Sequence, residues 1–438
     1  MSEKTGMMNW ITEPTRRTDI WLGALVFVFA VVVSWVFWSL LPAAYQENQS
    51  TDYTSFYEPV ARNIAQGLGV TLDGEIATRY PPGFPMLLAG AFKVGDAVGV
   101  NADAALVWFR LLCAGLSAVF VFAMARLVWL PMAALVAALA WATYPFGLWL
   151  TKQPNSEVAF IPLMFAAIYL LWRALLRAPR NGWLYLASGV LAGAAMLVRP
   201  AGIGLGVVFA VLVLLFAGRS MGWLTKIGLA LLILVGNLLI VLPWQGSVYA
   251  RTGEFIPLSS GGAITIKDGL TFLAIPKEYR REVAVPEDVE TMMQTFQSRR
   301  DEMSSIGDVV SVVLEEAAHD PVAFAKIVWI KATRSWYGID SRQFEGPTLA
   351  LQIIYLGLAV WGSWYAWRMG GDLRRMITGN WLIVGYFWAM TMLVVPLLRY
   401  TLPVMGLLMV ALPGVYYSLA GMLGRQTAPT TQILNSDT

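Results

Sequence analysis

The sequence predicts an all-α polytopic membrane protein with about ten transmembrane helices, interfacial helices in the first external loop and a mostly helical external segment. Of its 438 residues, 57% are hydrophobic and only 13% charged, where a soluble domain carries about 25% charged residues. A mean hydropathy of +0.60 means more apolar surface than one soluble core could hide. The basic residues of the short connections also alternate along the chain as the positive-inside rule requires for a ten-span path.

The first apolar run, residues 20–41, follows Arg16 and Arg17. About 22 residues at roughly 1.5 Å each cover the hydrocarbon thickness of a bilayer. The run is too long for a signal-peptide core, so it is read as an uncleaved span. Further spans are predicted at residues 104–127, 130–150, 158–176, 183–198, 201–217, 223–242, 349–367, 380–395 and 401–423. The apolar stretch 85–94 is too short to cross and is expected to be an interfacial helix.

With the N-terminus inside, the cytoplasmic connections hold Arg126, then Arg173, Arg177 and Arg180, then Arg219 and Lys226. Arg368, Arg374 and Arg375 follow, and Arg425 begins the tail. The organisation is an N-terminal transmembrane module (1–243) containing the first external loop (43–103), an external helical segment (244–346), C-terminal transmembrane helices (347–424) and a loose cytoplasmic tail (425–438). In the external segment, residues 285–302 and 306–318 have helical periodicity, and Asp320-Pro321 opens another helix. Trp329, Trp336 and Tyr337 of that last helix suit a membrane interface.

A net charge of +3 without a dense Lys/Arg run gives no footprint for nucleic acid. One cysteine, Cys113, and one histidine, His319, make a disulfide, a thiolate cluster, a multi-histidine metal site and a Ser-His-Asp triad unsuited to this chain. His319 and Asp320 read most simply as a helix end and a helix start. Acid–base chemistry falls to Asp, Glu, Lys or Tyr.

Arg79, Lys152, Arg199 and Arg399 stand beside span ends on the outer side, and Arg110 lies near the start of the second span. Each could snorkel or pair with a carboxylate. Several cations at one membrane depth also suit an anionic headgroup, such as a phosphate on a lipid tail. Arg79, Arg199 and Arg399 have prolines nearby, which stiffen the backbone that aims them.

Among the acids, Asp52 precedes an amphipathic aromatic segment (Phe56, Tyr57, Val60, Ala61, Ile64, Ala65) expected to lie on the membrane. It suits either a helix cap or chemistry. Glu58 is out of phase with Asp52 and is expected to be solvated or to hold a base. Glu157 opens the fourth span, as a helix-start charge or a site acid.

Together these pieces resemble the GT-C glycosyltransferases, in the branch of protein O-mannosyltransferases and lipid A aminoarabinose transferases. The matching pieces are Asp52 with YEPVARNIAQGLG, RYPPGFPMLLAG from Arg79, Ser156-Glu157, LVRPAG from Leu197, NLLIVLPWQGSVYARTGEFIPLSSGG from Asn237 and RYTLPV from Arg399. The resemblance implies an inverting transfer from a polyprenyl-phosphate sugar on the periplasmic face of a bacterial inner membrane. Asp52 takes the place of the general base near the acceptor and Arg79 that of a phosphate contact. Arg199, Arg399 and Lys152 are further phosphate candidates, and Tyr57, Glu58, Tyr80, Arg110, Glu157 and Tyr400 are pocket candidates.

The chain departs from the family at Tyr53, where some branches carry a second acid, and its external segment is shorter than the soluble domains of some members. The implied partners are membrane lipid, the lipid-linked donor, and a glycan, lipid or protein acceptor. No cofactor is implied, no metal site is assigned, and nothing in the sequence supports a divalent cation. A lipid-linked sugar flippase and a non-catalytic envelope-assembly subunit are the competing readings. The absence of a visible repeat and the crowding of polar residues on one side favour surface chemistry. The mechanism requires Asp52 and Arg79 to face a common cavity.

Overall fold

The computed structural model describes residues 16–48, 50–218, 220–271, 285–339 and 344–422, which form nineteen α-helices and one small hairpin. Arg219, Arg425 and the predicted tail lie outside the described residues. Helix α1 (Arg16–Leu40) leads through the short α2 (Ala43–Gln46) into the first external loop. There a π-helical turn (Tyr53–Tyr57) runs into α3 (Glu58–Ala65), followed by β1 (Thr71–Leu72), β2 (Glu75–Ile76) and α4 (Gly83–Ala97).

The membrane helices are α5 (Ala102–Arg126), α6 (Pro131–Ala142), α7 (Pro145–Lys152), α8 (Glu157–Arg177), α9 (Gly182–Val198), α10 (Leu205–Phe216) and α11 (Trp223–Thr252). The external segment folds as α12 (Gly262–Thr271), α13 (Glu287–Ser298), α14 (Ile306–His319) and α15 (Pro321–Arg334). The chain then returns through α16 (Glu345–Met369), α17 (Gly371–Leu393), α18 (Leu398–Met409) and α19 (Pro413–Met422).

All ten predicted apolar segments are helical. Among the described residues, six helices are long and apolar enough to cross a membrane, or up to eight if each bent pair counts as one span. The bent pairs are α6–α7, at 53°, and α18–α19, at 45°. Pro145 and Pro413 begin the second member of each pair, where a residue without an N–H cannot continue the preceding helix. The remaining two segments, α9 and the run containing α10, are shorter apolar helices.

Two helices exceed their predicted bounds. Helix α11 continues through Pro243 to Thr252, so the residues after 242 assigned to the external segment begin as helix. Helix α17 starts at Gly371, because Gly370 (φ 79°) and Gly371 (φ 55°) make a left-handed reversal that glycine enters without a Cβ penalty. Arg375 is therefore helical, paired with Asp372 at 3.1 Å and donating to the Phe216 carbonyl at 2.6 Å.

Helices α9 and α11 pack backbone to backbone. A Cβ on Gly189 would stand 2.1 Å from the Ile233 oxygen, and one on Gly236 would stand 2.4 Å from the Leu186 oxygen. Small residues permit this approach in an apolar medium, where dispersion and close packing hold helices together. Arg126 pairs with Asp19 at 2.7 Å and Arg177 with Asp372 at 4.0 Å, so connections assigned to the same side do meet.

The external helices have an apolar core of their own, including Val289, Met293, Phe296, Met303 and Ile327. Asp320 caps α15 by accepting from the N–H groups of Val322 and Ala323. Trp329 is exposed, as an interfacial residue would be, but Trp336 packs against Trp388 at 5.8 Å.

Candidate active site

The first external loop is built around aromatic packing. Its apolar face was expected to rest on the membrane, yet Val60 and Ala61 are fully buried and α3 packs on α4. Protein fills that face because the hairpin and Pro81-Pro82 fold the chain back over it. Asp73 (φ 52°) and Gly74 (φ 86°) both adopt left-handed conformations in the two-residue turn of the hairpin. An Asp-Gly pair is the sequence signal for such a turn.

Asp52 is helical itself (φ −63°, ψ −34°) and caps nothing with its side chain. The capping bond is made by Ser50, whose Oγ accepts from the Tyr53 N–H at 3.2 Å. The Asp52 carboxylate instead accepts a hydrogen bond from the Tyr80 hydroxyl at 3.0 Å. Burial pushes Tyr80 up to about 12, and the charge and hydrogen bond of Asp52 add to that shift. Tyr80 therefore stays a proton donor to Asp52 throughout the physiological range.

Tyr80 also carries Arg79, whose guanidinium carbon lies 5.4 Å from the ring centroid. Arg79 is exposed, and among the described residues no carboxylate pairs with it. On the ring's other contacts, Phe56 meets Tyr80 edge-on at 5.1 Å and Tyr57 lies at 5.2 Å. Gly83 presses this loop onto α9, since a Cβ there would stand 2.6 Å from the Leu197 backbone. That contact sets the loop beside Arg199.

A second polar group forms around Tyr400. Arg199 and Arg399 lie 5.0 Å and 4.9 Å from its ring centroid, and Arg399 Nη2 donates to its hydroxyl at 2.9 Å. Arg199 is also paired with the buried carboxylate of Glu157 at 2.7 Å. Ser156 accepts from Arg199 at 3.2 Å and stands near the Tyr57 hydroxyl, whose pKa burial raises strongly, so it lies between the two groups. A lone serine at a helix start has no distinguishing sequence pattern, so the place of Ser156 in the site emerges only from the fold.

The structure thus links Asp52, Tyr57, Arg79, Tyr80, Glu157, Arg199, Arg399 and Tyr400. It does not bring the other candidates into the group. Lys152 donates to the Glu47 carbonyl and Arg110 to the Lys152 carbonyl, with Arg110 over the Trp38 ring at 5.1 Å. Glu58 holds Arg62 in a partly exposed i,i+4 pair at 2.6 Å.

An open cleft of about 440 Å³ lies over the hairpin, lined in part by Ser55, Phe56, Asp73, Thr78, Arg79 and Ser260. This cleft does not meet the common-cavity condition; Asp52 and Arg79 are joined through Tyr80 instead. Arg79 lines the cleft, whereas Asp52 does not, and Tyr80 touches both. Among the described residues, no three His, Cys, Asp or Glu side chains gather to hold a metal ion.

Residues 79–245 match the family model of dolichyl-phosphate-mannose-protein mannosyltransferases. No curated protein matches the chain by sequence. The fold is similar to the Archaeoglobus fulgidus oligosaccharyltransferase AglB in complex with an inhibitory peptide and a dolichol-phosphate. That match has a TM-score of 0.52 and 12% identity, covering 94% of this chain and 53% of that one. The apo form of the archaeal enzyme gives a TM-score of 0.54 at 12% identity, covering 93% and 52%. ArnT from Cupriavidus metallidurans bound to undecaprenyl phosphate aligns with a TM-score of 0.42 at 15% identity, covering 93% and 81%. The chain spans about half the length of the archaeal enzyme. It is a polytopic membrane protein that shares the fold of the archaeal oligosaccharyltransferase, and its residues 79–245 match the mannosyltransferase family model.

Proposed function

We propose that the protein is an integral membrane glycosyltransferase that moves a sugar, with inversion, from a polyprenyl-phosphate donor to an acceptor hydroxyl on the periplasmic side of a bacterial inner membrane. The observation that carries this reading is Tyr80, which holds the acid Asp52 at 3.0 Å through its hydroxyl and the exposed cation Arg79 over its ring at 5.4 Å. The mannosyltransferase-family segment and the dolichol-phosphate named with the archaeal structure support a lipid-phosphate donor.

The acceptor oxygen attacks the anomeric carbon while Asp52 takes its proton. The bond from that carbon to the phosphate oxygen breaks, and its electron pair leaves with the phosphate. Tyr80 occupies Asp52 Oδ1, which leaves Oδ2 for the acceptor hydroxyl. Arg79 and Arg399 offset the growing phosphate charge, as preorganised cations do where charge develops. Arg199 contributes through the N–H groups that Glu157 and Ser156 do not use. A phosphate leaving group needs no general acid, so one histidine is no obstacle.

The test is sugar transfer from a labelled polyprenyl-phosphate hexose in detergent-solubilised membranes containing the full chain. Asp52→Asn should lower turnover by about 10³-fold, within the usual range for losing a general base, and leave donor binding intact. Turnover that survives Asp52→Asn removes Asp52 as the base. Absence of product with the unaltered protein would favour the flippase reading.

A further inference from the structure

The external segment closely approaches the membrane part at Gly261, Gly269 and Gly338, and the contacts at Gly261 and Gly338 fall beside candidate phosphate arginines. At its start, the Ser260 N–H donates to the Thr78 carbonyl at 2.9 Å, and the Thr78 and Ser260 hydroxyls lie 3.2 Å apart. Next in sequence, a Cβ on Gly261 would stand 2.8 Å from the carbonyl oxygen of Arg79. At its end, the Leu398 N–H donates to the Gly338 carbonyl at 2.8 Å, and the Thr401 hydroxyl donates to the Ser335 carbonyl at 2.7 Å. Those two bonds bracket Arg399 and Tyr400. A Cβ on Gly338 would stand 2.5 Å from the Pro396 oxygen and 2.9 Å from the Arg334 oxygen.

Neither glycine is among the described residues of positive φ, so conformation does not call for glycine at either place. Close approach does. The obstructing atoms are backbone oxygens, which no side-chain rotation can move aside. The turn at Gly338 is fixed from behind, because Glu345 both pairs with the buried Arg334 and accepts from the Ile339 N–H at 3.1 Å.

We infer that Gly261 and Gly338 are positioning residues: through them the external segment sets where Arg79 and Arg399 stand, and so the span between the two cations. The inference rests on the reading of those arginines as phosphate contacts. A displacement of a binding group by a fraction of an ångström to an ångström costs affinity without removing any group from the site.

The experiment measures binding of a sugar-free polyprenyl phosphate to the full chain carrying Gly261→Ala, Gly338→Ala, Arg79→Ala, Arg399→Ala and the matched double variants. Each glycine variant should weaken binding by about tenfold. Gly261→Ala should add nothing in the Arg79→Ala background, nor Gly338→Ala in the Arg399→Ala background, because residues that act through one group are not additive. A merely structural role would leave the two effects additive. Gly189→Ala, at a crossing remote from both arginines, should lower thermal stability and leave binding unchanged in the folded protein.

If the glycine variants do not fold, Thr78→Val and Thr401→Val remove one anchoring hydroxyl each at nearly constant volume and should weaken binding by about threefold. Unchanged binding in both would overturn the inference, as would full additivity in the double variants. Unchanged binding in Arg79→Ala and Arg399→Ala would instead overturn the phosphate reading beneath it.

Discussion

Five cations stand beside outer span ends in this chain, and the structure divides them into two kinds. Arg79, Arg199 and Arg399 gather on the rings of Tyr80 and Tyr400. Lys152 and Arg110 instead donate to the main-chain carbonyls of Glu47 and Lys152 and so join α5 to the end of α7 and α7 to the loop after α2. Arg110 and Lys152 lie over tryptophan rings as well, so a ring face alone does not separate the two kinds. The difference is that these two also donate to main-chain carbonyls, which satisfies the backbone and leaves them fewer N–H groups to offer. Position at the membrane surface does not distinguish a binding cation from a structural one; its partners do.

That division can be broken by measurement. Arg79→Ala and Arg399→Ala should each weaken polyprenyl-phosphate binding by about 10- to 100-fold, the worth of a charge-assisted hydrogen bond. Lys152→Met should leave binding unchanged while lowering thermal stability. Equal losses of binding in Lys152→Met and Arg79→Ala would erase the distinction.

Glu157→Gln sharpens it, because it leaves Arg199 near the interior without its carboxylate. Breaking a buried pair from one side costs about 3 kcal/mol or more, which a lowered unfolding temperature in detergent would report. A stability equal to that of the unaltered protein would mean that the pair at 2.7 Å contributes nothing net.

Lys331 extends the second kind into the external helices, since it is buried and its ammonium donates to the Gly269 carbonyl at 3.0 Å. Burial pushes it down from 10.5 to about 7. The unfolded chain then binds the extra proton across that window, so stability should rise with pH between those values and level off below about 7. The slope is at most about 1.4 kcal/mol per pH unit. Lys331→Met should flatten the pH dependence of unfolding and stabilise the protein at neutral pH. A profile unchanged by that substitution would show that Lys331 reaches solvent.

Much of the fold was legible because hydrophobic runs and proline act locally. The ten apolar segments, the helix start at Asp320-Pro321 and the α14 helix could be read from periodicity and turn chemistry. Where helices end was less legible. Pro243 is carried inside α11, and the glycine pair at 370–371 starts α17 early.

The site separates the two levels most clearly. The sequence by itself determined that acids and cations would collect in the loops and at the helix ends of a membrane protein, because charges are expelled from hydrocarbon. Which of them meet was decided only by tertiary packing. Asp52 gave up the cap to Ser50 and took the Tyr80 hydroxyl, 28 residues away in sequence. Tyr400, from the last quarter of the chain, came to rest against Arg199. Close backbone approaches accompany these pairings, with Gly83 pressed against α9, Gly261 against the Arg79 carbonyl and Gly338 against the Pro396 and Arg334 carbonyls. Such contacts join residues far apart in the chain, and no local pattern of residue types records them.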